Sequence, residues 1–184
     1  DPLLKTIRNK QWSQNGWHFR VYVHNKSVDW IRDLLECSDG TAQLFIMNDP
    51  EVEPGNSAGA FWRFLALLDS RIGCVIYDTD EPISFEYVSN KWNQLLNSEK
   101  SISVKHMAPF PKTHIQAQHM YKKKSAPPPF DASFVSTYPR RREYGSDEIF
   151  LTREMADFYS DRKLSLYRMR KYTMSFMCPK RHCA

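Results

Sequence analysis

Residues 74–84 read CVIYDTDEPIS: an apolar run from Cys74 to Tyr77, then Asp78 and Asp80 with one threonine between them. The near-absence of polar alternation over 71–78 (RIGCVIYD) predicts a strand buried on both faces, the usual state of a strand inside an α/β sheet. Two acids at the end of such a strand need a counter-charge, because neighbouring carboxylates repel and would otherwise take up a proton.

Helix and strand signals take turns on either side of this stretch. Asp1-Pro2 suits the cap and first turn of a helix to about Gln14, closed by Gly16, and WHFRVYVH (17–24) reads as a strand. Ser27 can cap a helix carrying Val28, Ile31, Leu34 and Leu35 on one face, with Gly40 at its C′ position. A second strand, TAQLFIMN (41–48), leads through a loop from Asp49 to Gly55 into an apolar helix, GAFWRFLALLDS (59–70). After the 71–78 strand, Ser84 caps a helix in which Phe85, Val88, Trp92, Leu95 and Leu96 recur at helical spacing, and SISVKHM (101–107) is a fourth strand. This order predicts a three-layer α/β domain with a central, mostly parallel sheet flanked by helices. A doubly wound fold normally opens with a strand, so an initial strand is expected upstream of Asp1, unless the fold dispenses with it.

From Ala108 to Tyr144 the pattern gives way to Pro, Lys, Ser and Arg, including PPP at 127–129, and reads as a long functional or mobile loop. EYGSDEIFLTREMADFY (143–159) restores an amphipathic helix after a glycine turn, while the basic, aromatic stretch SLYRMRKYTMSFMCPKRHCA takes no firm assignment.

The bulk numbers suit one domain of 184 residues, 41% hydrophobic and 14% aromatic. No apolar run approaches the roughly 18–20 residues of a membrane span, and the polar, amphipathic residues 1–16 do not resemble a secretory signal. The expectation is a soluble, cytoplasmic protein. Cys37, Cys74, Cys178 and Cys183 form no CxxC pair, which argues against a zinc knot. Cys74 reads as a reduced core thiol, and a Cys178–Cys183 disulfide is conceivable. Of the net charge of +5, all is accounted for by residues 121–142, where Lys122–Lys124 and Arg140–Arg142 stand against Asp131 (six minus one). Such a segment suits a solvated loop, a lid over an anionic ligand, or a nucleic-acid surface with Phe130, Tyr138 and Tyr144 as stacking partners.

In open α/β sheets ligands bind beyond the carboxyl ends of the strands, where Asp78 and Asp80 are expected. A hard divalent ion, Mn²⁺ or Mg²⁺, would supply the missing counter-charge and keep phosphate oxygens as further ligands. The plainer alternative is a turn in which one aspartate caps the following helix. Arg63 interrupts an apolar helix face and so requires an anionic partner, either a ligand or an acid such as Asp69.

SAGAFWRFLALLDSRIGCVIYDTDEPIS resembles the donor-site signature of GT-A glycosyltransferases, in which an arginine-bearing helix leads into a strand ending in DxD. YGSDEIFLTRE (144–154) resembles a second motif of that family, a Gly/Asp-rich turn opening a helix on the acceptor side, and PGNSAG suits a loop near the donor. The likeness covers roughly residues 10–155 and extends to family members carried by large algal viruses, for which the compartment would be the host-cell cytoplasm. It implies a single GT-A domain over 1–184, possibly part of a longer chain, with a nucleotide-sugar part at about 1–107 and an acceptor part at about 108–184. It also implies a hexosyltransferase-type enzyme using Mn²⁺ or Mg²⁺, a UDP-sugar donor and a glycan or glycoprotein acceptor, with retention slightly favoured and nucleic acid not a partner. Position by position, the resemblance places Asp78 and Asp80 at the metal, Asp78 approaching the ribose or a metal-bound water and Asp80 ligating the metal directly, with His182 as a C-terminal third metal ligand. Arg63, Tyr77, Thr79, Asn56 and Ser57 fall in the donor-binding segments, and Asp147 with Glu148 matches the carboxylates near the anomeric carbon. Glu148 and Asp147 also suit a helix first turn, where negative charge is stabilised by the dipole. His106, His114 and His119 border the long loop and are read as solvated or structural, with His114 and His119 as further acceptor contacts. A metal-dependent phosphohydrolase or nucleotidyltransferase would also want a strand-end DxD, but no further carboxylate nucleophile stands out.

Overall fold

The computed structural model describes residues 2–27, 31–32, 36, 38, 40–50, 52, 58–78, 80, 82–107, 114–124, 126–139, 142–155, 164–170 and 173–176. The chain is a mixed α/β protein. Helices α1 (Pro2–Ile7) and α2 (Gln11–Gln14) stand where one helix is expected. Asn9 explains the break, because its side-chain Oδ1 accepts from the Gln11 amide at 3.1 Å and starts a new turn. Strand β1 (Phe19–His24) follows and pairs in parallel with β2 (Ala42–Met47), from Phe19 opposite Ala42 to His24 opposite Met47. Of the helix expected after Ser27, Ile31 is buried, whereas Val28, Leu34 and Leu35 lie outside the described residues.

The apolar segment before the DTD turn forms a helix of the 3-10 type, Ala58–Leu68. Its winding of three residues per turn eclipses side chains at i and i+3. Ala58, Phe61, Phe64 and Leu67 therefore make one fully buried row, and Ala60, Arg63 and Ala66 a second row that lines a cavity. Beyond it come β3 (Cys74–Ile76), α3 (Phe85–Leu96) and β4 (Ile102–Met107). Ser84 caps α3 as expected, its side chain accepting from the Tyr87 amide at 3.3 Å.

The stretch 108–144 is not one long loop. It contains β5 (His114–Lys122) and the short helix α4 (Phe134–Thr137). Helix α5 (Ser146–Glu154) then precedes β6 (Leu164–Arg170) and β7 (Thr173–Phe176), both within the C-terminal stretch that resisted assignment. The larger sheet runs in the order β3-β5-β4-β6-β7. Its β4–β6 pair is parallel, while β3–β5, β4–β5 and β6–β7 are antiparallel. The sheet is thus mixed and, among the described pairings, less parallel than expected. The cause is β5, which inserts between β3 and β4 and runs opposite to both.

Period-2 alternation sends the two faces of this sheet into separate cores. Cys74, Ile76, Ile102, Val104, Ile115, Ala117 and Met120 pack with the 3-10 helix, α4 and α5, in a cluster built on Phe61, Phe64, Phe134 and Phe150. Val75, Tyr77 and Tyr121 face the other way, toward Trp12, Val88, Leu95 and Trp92. Burial of such aromatic and aliphatic side chains stabilises by about 1.5–3 kcal/mol each relative to exposure. No described helix is long and apolar enough to cross a membrane.

Candidate functional site

Strand β3 ends at Ile76, and Tyr77 and Asp78 continue to the edge of an open cavity of about 910 Å³. Arg63 reaches the same place from the 3-10 helix. Its Nη1 donates to Asp78 Oδ2 at 3.2 Å, and its Nη2 donates to Asp147 Oδ2. Three residues far apart in sequence thus share one ionic knot, with Asp147 and Arg63 largely buried and Asp78 about one-third exposed. The counter-charge opposite Asp78 is a guanidinium. Asp69, the other candidate partner for Arg63, is instead held by Arg71 and Arg20 through side-chain contacts of 3.0–3.4 Å. The Arg71 contacts, exposed as they are, hold its carboxyl far below the usual carboxylate range.

Asp147 is placed by the turn before it. Gly145 sits in the left-handed region at φ +75°, which glycine alone adopts without penalty, and α5 starts at the next residue. Asp147 Oδ1 accepts from the Glu148 amide at 3.0 Å, so both oxygens of this acid are engaged. Helix α5 is fastened to β5 through Thr152, whose hydroxyl accepts from the Ile115 amide and donates to the Glu148 carbonyl. The Nε of Arg63 is buried without a hydrogen-bond partner among the described residues, a donor left over in a charged site.

The other expected site residues divide clearly. Tyr77, Asp80 and Glu148 line the cavity with Arg63, Asp78 and Asp147, and Asp80 is exposed. Thr79, Asn56, Ser57 and His182 lie outside the described residues, as do Arg140, Arg141, Cys37, Cys178 and Cys183. Among the described residues no group of three His, Cys, Asp or Glu side chains could hold a metal ion.

The basic lid is overturned in part. Lys122 is fully buried in β5, donating to the carbonyls of Asp69, Ile72 and Lys123, and Lys123 donates to the Ser98 carbonyl. Two of the three lysines therefore belong to the sheet and its turn, and Lys124 alone is exposed and lines the cavity. Tyr138, offered as a stacking partner for bases, is buried against Phe61 and Phe150. A continuous basic, aromatic surface over 121–142 is thus absent among the described residues.

The structure gives two residues named from the sequence, His119 and Tyr144, a definite place, the first beneath a residue of the cavity wall and the second on that wall. His119 sits on β5 where the β4–β5 register slips, at a left-handed φ of +61°. Its ring lies 4.3 Å from that of Tyr77 and 5.8 Å from that of Tyr87, and burial, with Lys105 nearby, pushes its pKa down to about 4 against the pull of Asp78. Of the two roles expected of it, solvated or structural, the buried ring takes the structural one, packed beneath Tyr77. Tyr144 is 99% exposed and lines the cavity at the α5 turn. That His119 lies on a strand was not seen from the sequence, because the lysine run concealed β5. Compared with family models, curated proteins and solved structures, the chain matches none.

Proposed function

We propose that this chain is a glycosyltransferase of the GT-A type, moving a sugar from a nucleotide donor, UDP-sugar favoured, to a glycan acceptor. The observation that carries the reading is the Arg63 knot. The helix arginine and the first acid of the DxD turn come from one sequence motif, and the acid of the GSDE turn from a second, far away in the chain. They meet at one cavity, Arg63 bonded to both acids. The mixed sheet with helices packed on both faces is compatible with the three-layer arrangement of that family.

A divalent ion fits the donor set on offer. Asp78 and Asp80 are hard oxygen donors on the cavity wall, and Mg²⁺ or Mn²⁺ commonly takes one or two carboxylates and completes its shell with phosphate oxygens and water. Bound there, the ion would neutralise charge developing on the departing diphosphate. The chain's own residues do the positioning. Arg63, anchored by Asp78 and Asp147, offers its remaining Nε–H to a sugar hydroxyl or phosphate oxygen. Asp147, held between a guanidinium and a backbone amide, is oriented to accept from a sugar hydroxyl. Because both its oxygens already accept hydrogen bonds, it suits steadying the sugar better than taking a proton, which favours retention of configuration. Glu148, beside it on the cavity wall, would face an acceptor hydroxyl.

Calorimetry with UDP and a panel of UDP-sugars, with and without Mn²⁺, tests the reading on the native chain and on Asp80→Asn. The expected result is metal-dependent nucleotide binding that Asp80→Asn abolishes. Nucleotide binding indifferent to both, or absent throughout, would overturn it.

A further inference from the structure

The same cavity is lined by residues of both sheets and forms a slot that borders β1 and β3. Every residue from His18 to Tyr22 and every residue from Arg71 to Asp78 lines it. Successive side chains of a strand point to opposite faces, so a cavity bordered by all of them in turn is bordered by the strands' edges. The edges in question are those of β1 and β3. Strand β1 pairs with β2 and β3 with β5, and neither pairs with the other. Yet the two lie in one layer. The 3-10 helix packs against both, and on the opposite face Trp12 sits in one cluster with Phe19 of β1 and Val75 of β3. Arg20 of β1 also reaches Asp69, just beyond the 3-10 helix, Nη2 to Oδ2 at 3.4 Å.

We infer that the slot receives one further β-strand, running parallel to β1 and hydrogen-bonded to β1 on one edge and β3 on the other. Strands pair at about 4.8 Å through backbone donors and acceptors, and a strand lying between β1 and β3 would satisfy those of both facing edges. The lining is mixed, but it includes Leu3, Trp12 and Val88 and, from the 3-10 helix, Ala60 and Ala66, apolar residues that a strand between β1 and β3 could cover. The occupant is an extended, apolar segment of polypeptide leading into α1. Leu3 of α1 is itself part of the slot wall, so chain arriving at Pro2 comes from the slot's mouth. A strand there, followed by α1 and α2 and then β1, completes a strand-helix-strand crossover with its two strands adjacent and parallel. The filled slot would unite the two sheets into one and leave the Arg63, Asp78 and Asp147 end as the open part of the cavity. None of this depends on glycosyl transfer.

Hydrogen exchange tests it. The 184-residue chain is compared with the same chain carrying an amino-terminal extension of about eight alternating Val and Thr residues, and with a Gly/Ser extension of equal length. The Val/Thr extension should slow exchange at the amides of β1 and β3 that do not face β2 or β5 by about tenfold or more, and raise Tm, while the Gly/Ser extension does neither. Equal protection in all three chains overturns the proposal. Protection by a free Val/Thr peptide but not by the fusion would point to a strand from another molecule, and overturns the assignment to a segment leading into α1. If the fusion does not fold, cysteine pairs decide on the unextended chain: Val21→Cys with Val75→Cys, and Val21→Cys with Ile76→Cys. A Cα separation above about 7 Å forbids a disulfide, so neither pair should close on mild oxidation, and ready closure at unchanged Tm would show β1 and β3 side by side.

Discussion

Arg63 and Lys122 are both cations withdrawn from water, and their surroundings differ in kind. Lys122 is fully buried and satisfied by three backbone carbonyls that belong to the turn before β3 and the end of β5. Arg63 is gripped by two carboxylates at a cavity wall and keeps one buried N–H over. Carbonyls are fixed features of the backbone, so a cation they hold is a staple of the fold. Carboxylates in an open cavity can exchange partners, so a cation they hold can hand one over to a ligand. Charge burial alone thus does not mark a site; what counts is whether the partners belong to the chain's framework or to the cavity.

The contrast is broken most directly at Asp147. Asp147→Asn keeps the shape and an acceptor for Arg63 but removes the charge; if the chain is the glycosyltransferase proposed above, transfer should fall by about 10²–10³-fold with little change in Tm. Transfer within a few-fold of the unaltered chain would remove Asp147 from the site. Lys122→Met should act in the opposite sense. It strands three carbonyls in the core and should lower stability by about 3 kcal/mol in chemical denaturation, while the folded fraction still binds donor normally. Arg63→Lys completes the comparison, since a cation remains but the fork that spans two acids is lost. Donor affinity should drop by about tenfold or more and stability by under about 1 kcal/mol. If both lysine-site and arginine-site variants lose only stability, the distinction between them is gone.

A pH titration separates the two regions in another way. His119 beneath Tyr77 has a folded pKa of about 4 against an ordinary value of 6.5. Between those values the unfolded chain binds the extra proton and the folded chain does not, so stability is full above pH 6.5 and is lost as pH falls toward 4. The loss reaches about 2–3 kcal/mol, read from urea midpoints across that window. A His119→Asn variant should flatten the slope there, and an unchanged slope would assign the acid sensitivity elsewhere.

Much of the scaffold was legible. Ser84 marks a real cap, the apolar run to Ile76 a real strand, and β1 and β2 fall within the segments expected of them. Within the candidate site, Arg63 and Asp78 were visible because a charge in an apolar or strand-end context asks for a partner, whereas Asp147 was visible only through the likeness of its turn to a family motif. That they partner one another was not visible, since nothing local couples residue 63 to residue 147. The largest miss was β5. Its central position depends on a bulge at His119 and on a lysine that snorkels nowhere but inward, and both look like loop chemistry until the tertiary contacts of Lys122 are seen. The 3-10 winding of residues 58–68 was equally hidden, because burial at 58, 61, 64 and 67 is also compatible with an α-helical stripe.

Two glycines offer the finest division between framework and site. An added Cβ at Gly73 would meet the Trp92 ring at 2.5 and 2.8 Å, so Gly73→Ala should overpack the core by about 1–3 kcal/mol and leave ligand binding alone. At Gly145 the space is open, with nothing within 4 Å, and only the backbone objects, through its φ of +75°. Gly145→Ala should therefore cost about 1 kcal/mol, less than its neighbour in the core. Its effect on binding should exceed that figure's share, because relieving the turn rotates Asp147, two residues on, away from Arg63. Donor affinity measured beside Tm resolves the matter. A variant that loses stability but keeps full affinity would mean that the turn merely starts a helix, and that the acid following it is not held in place for a ligand.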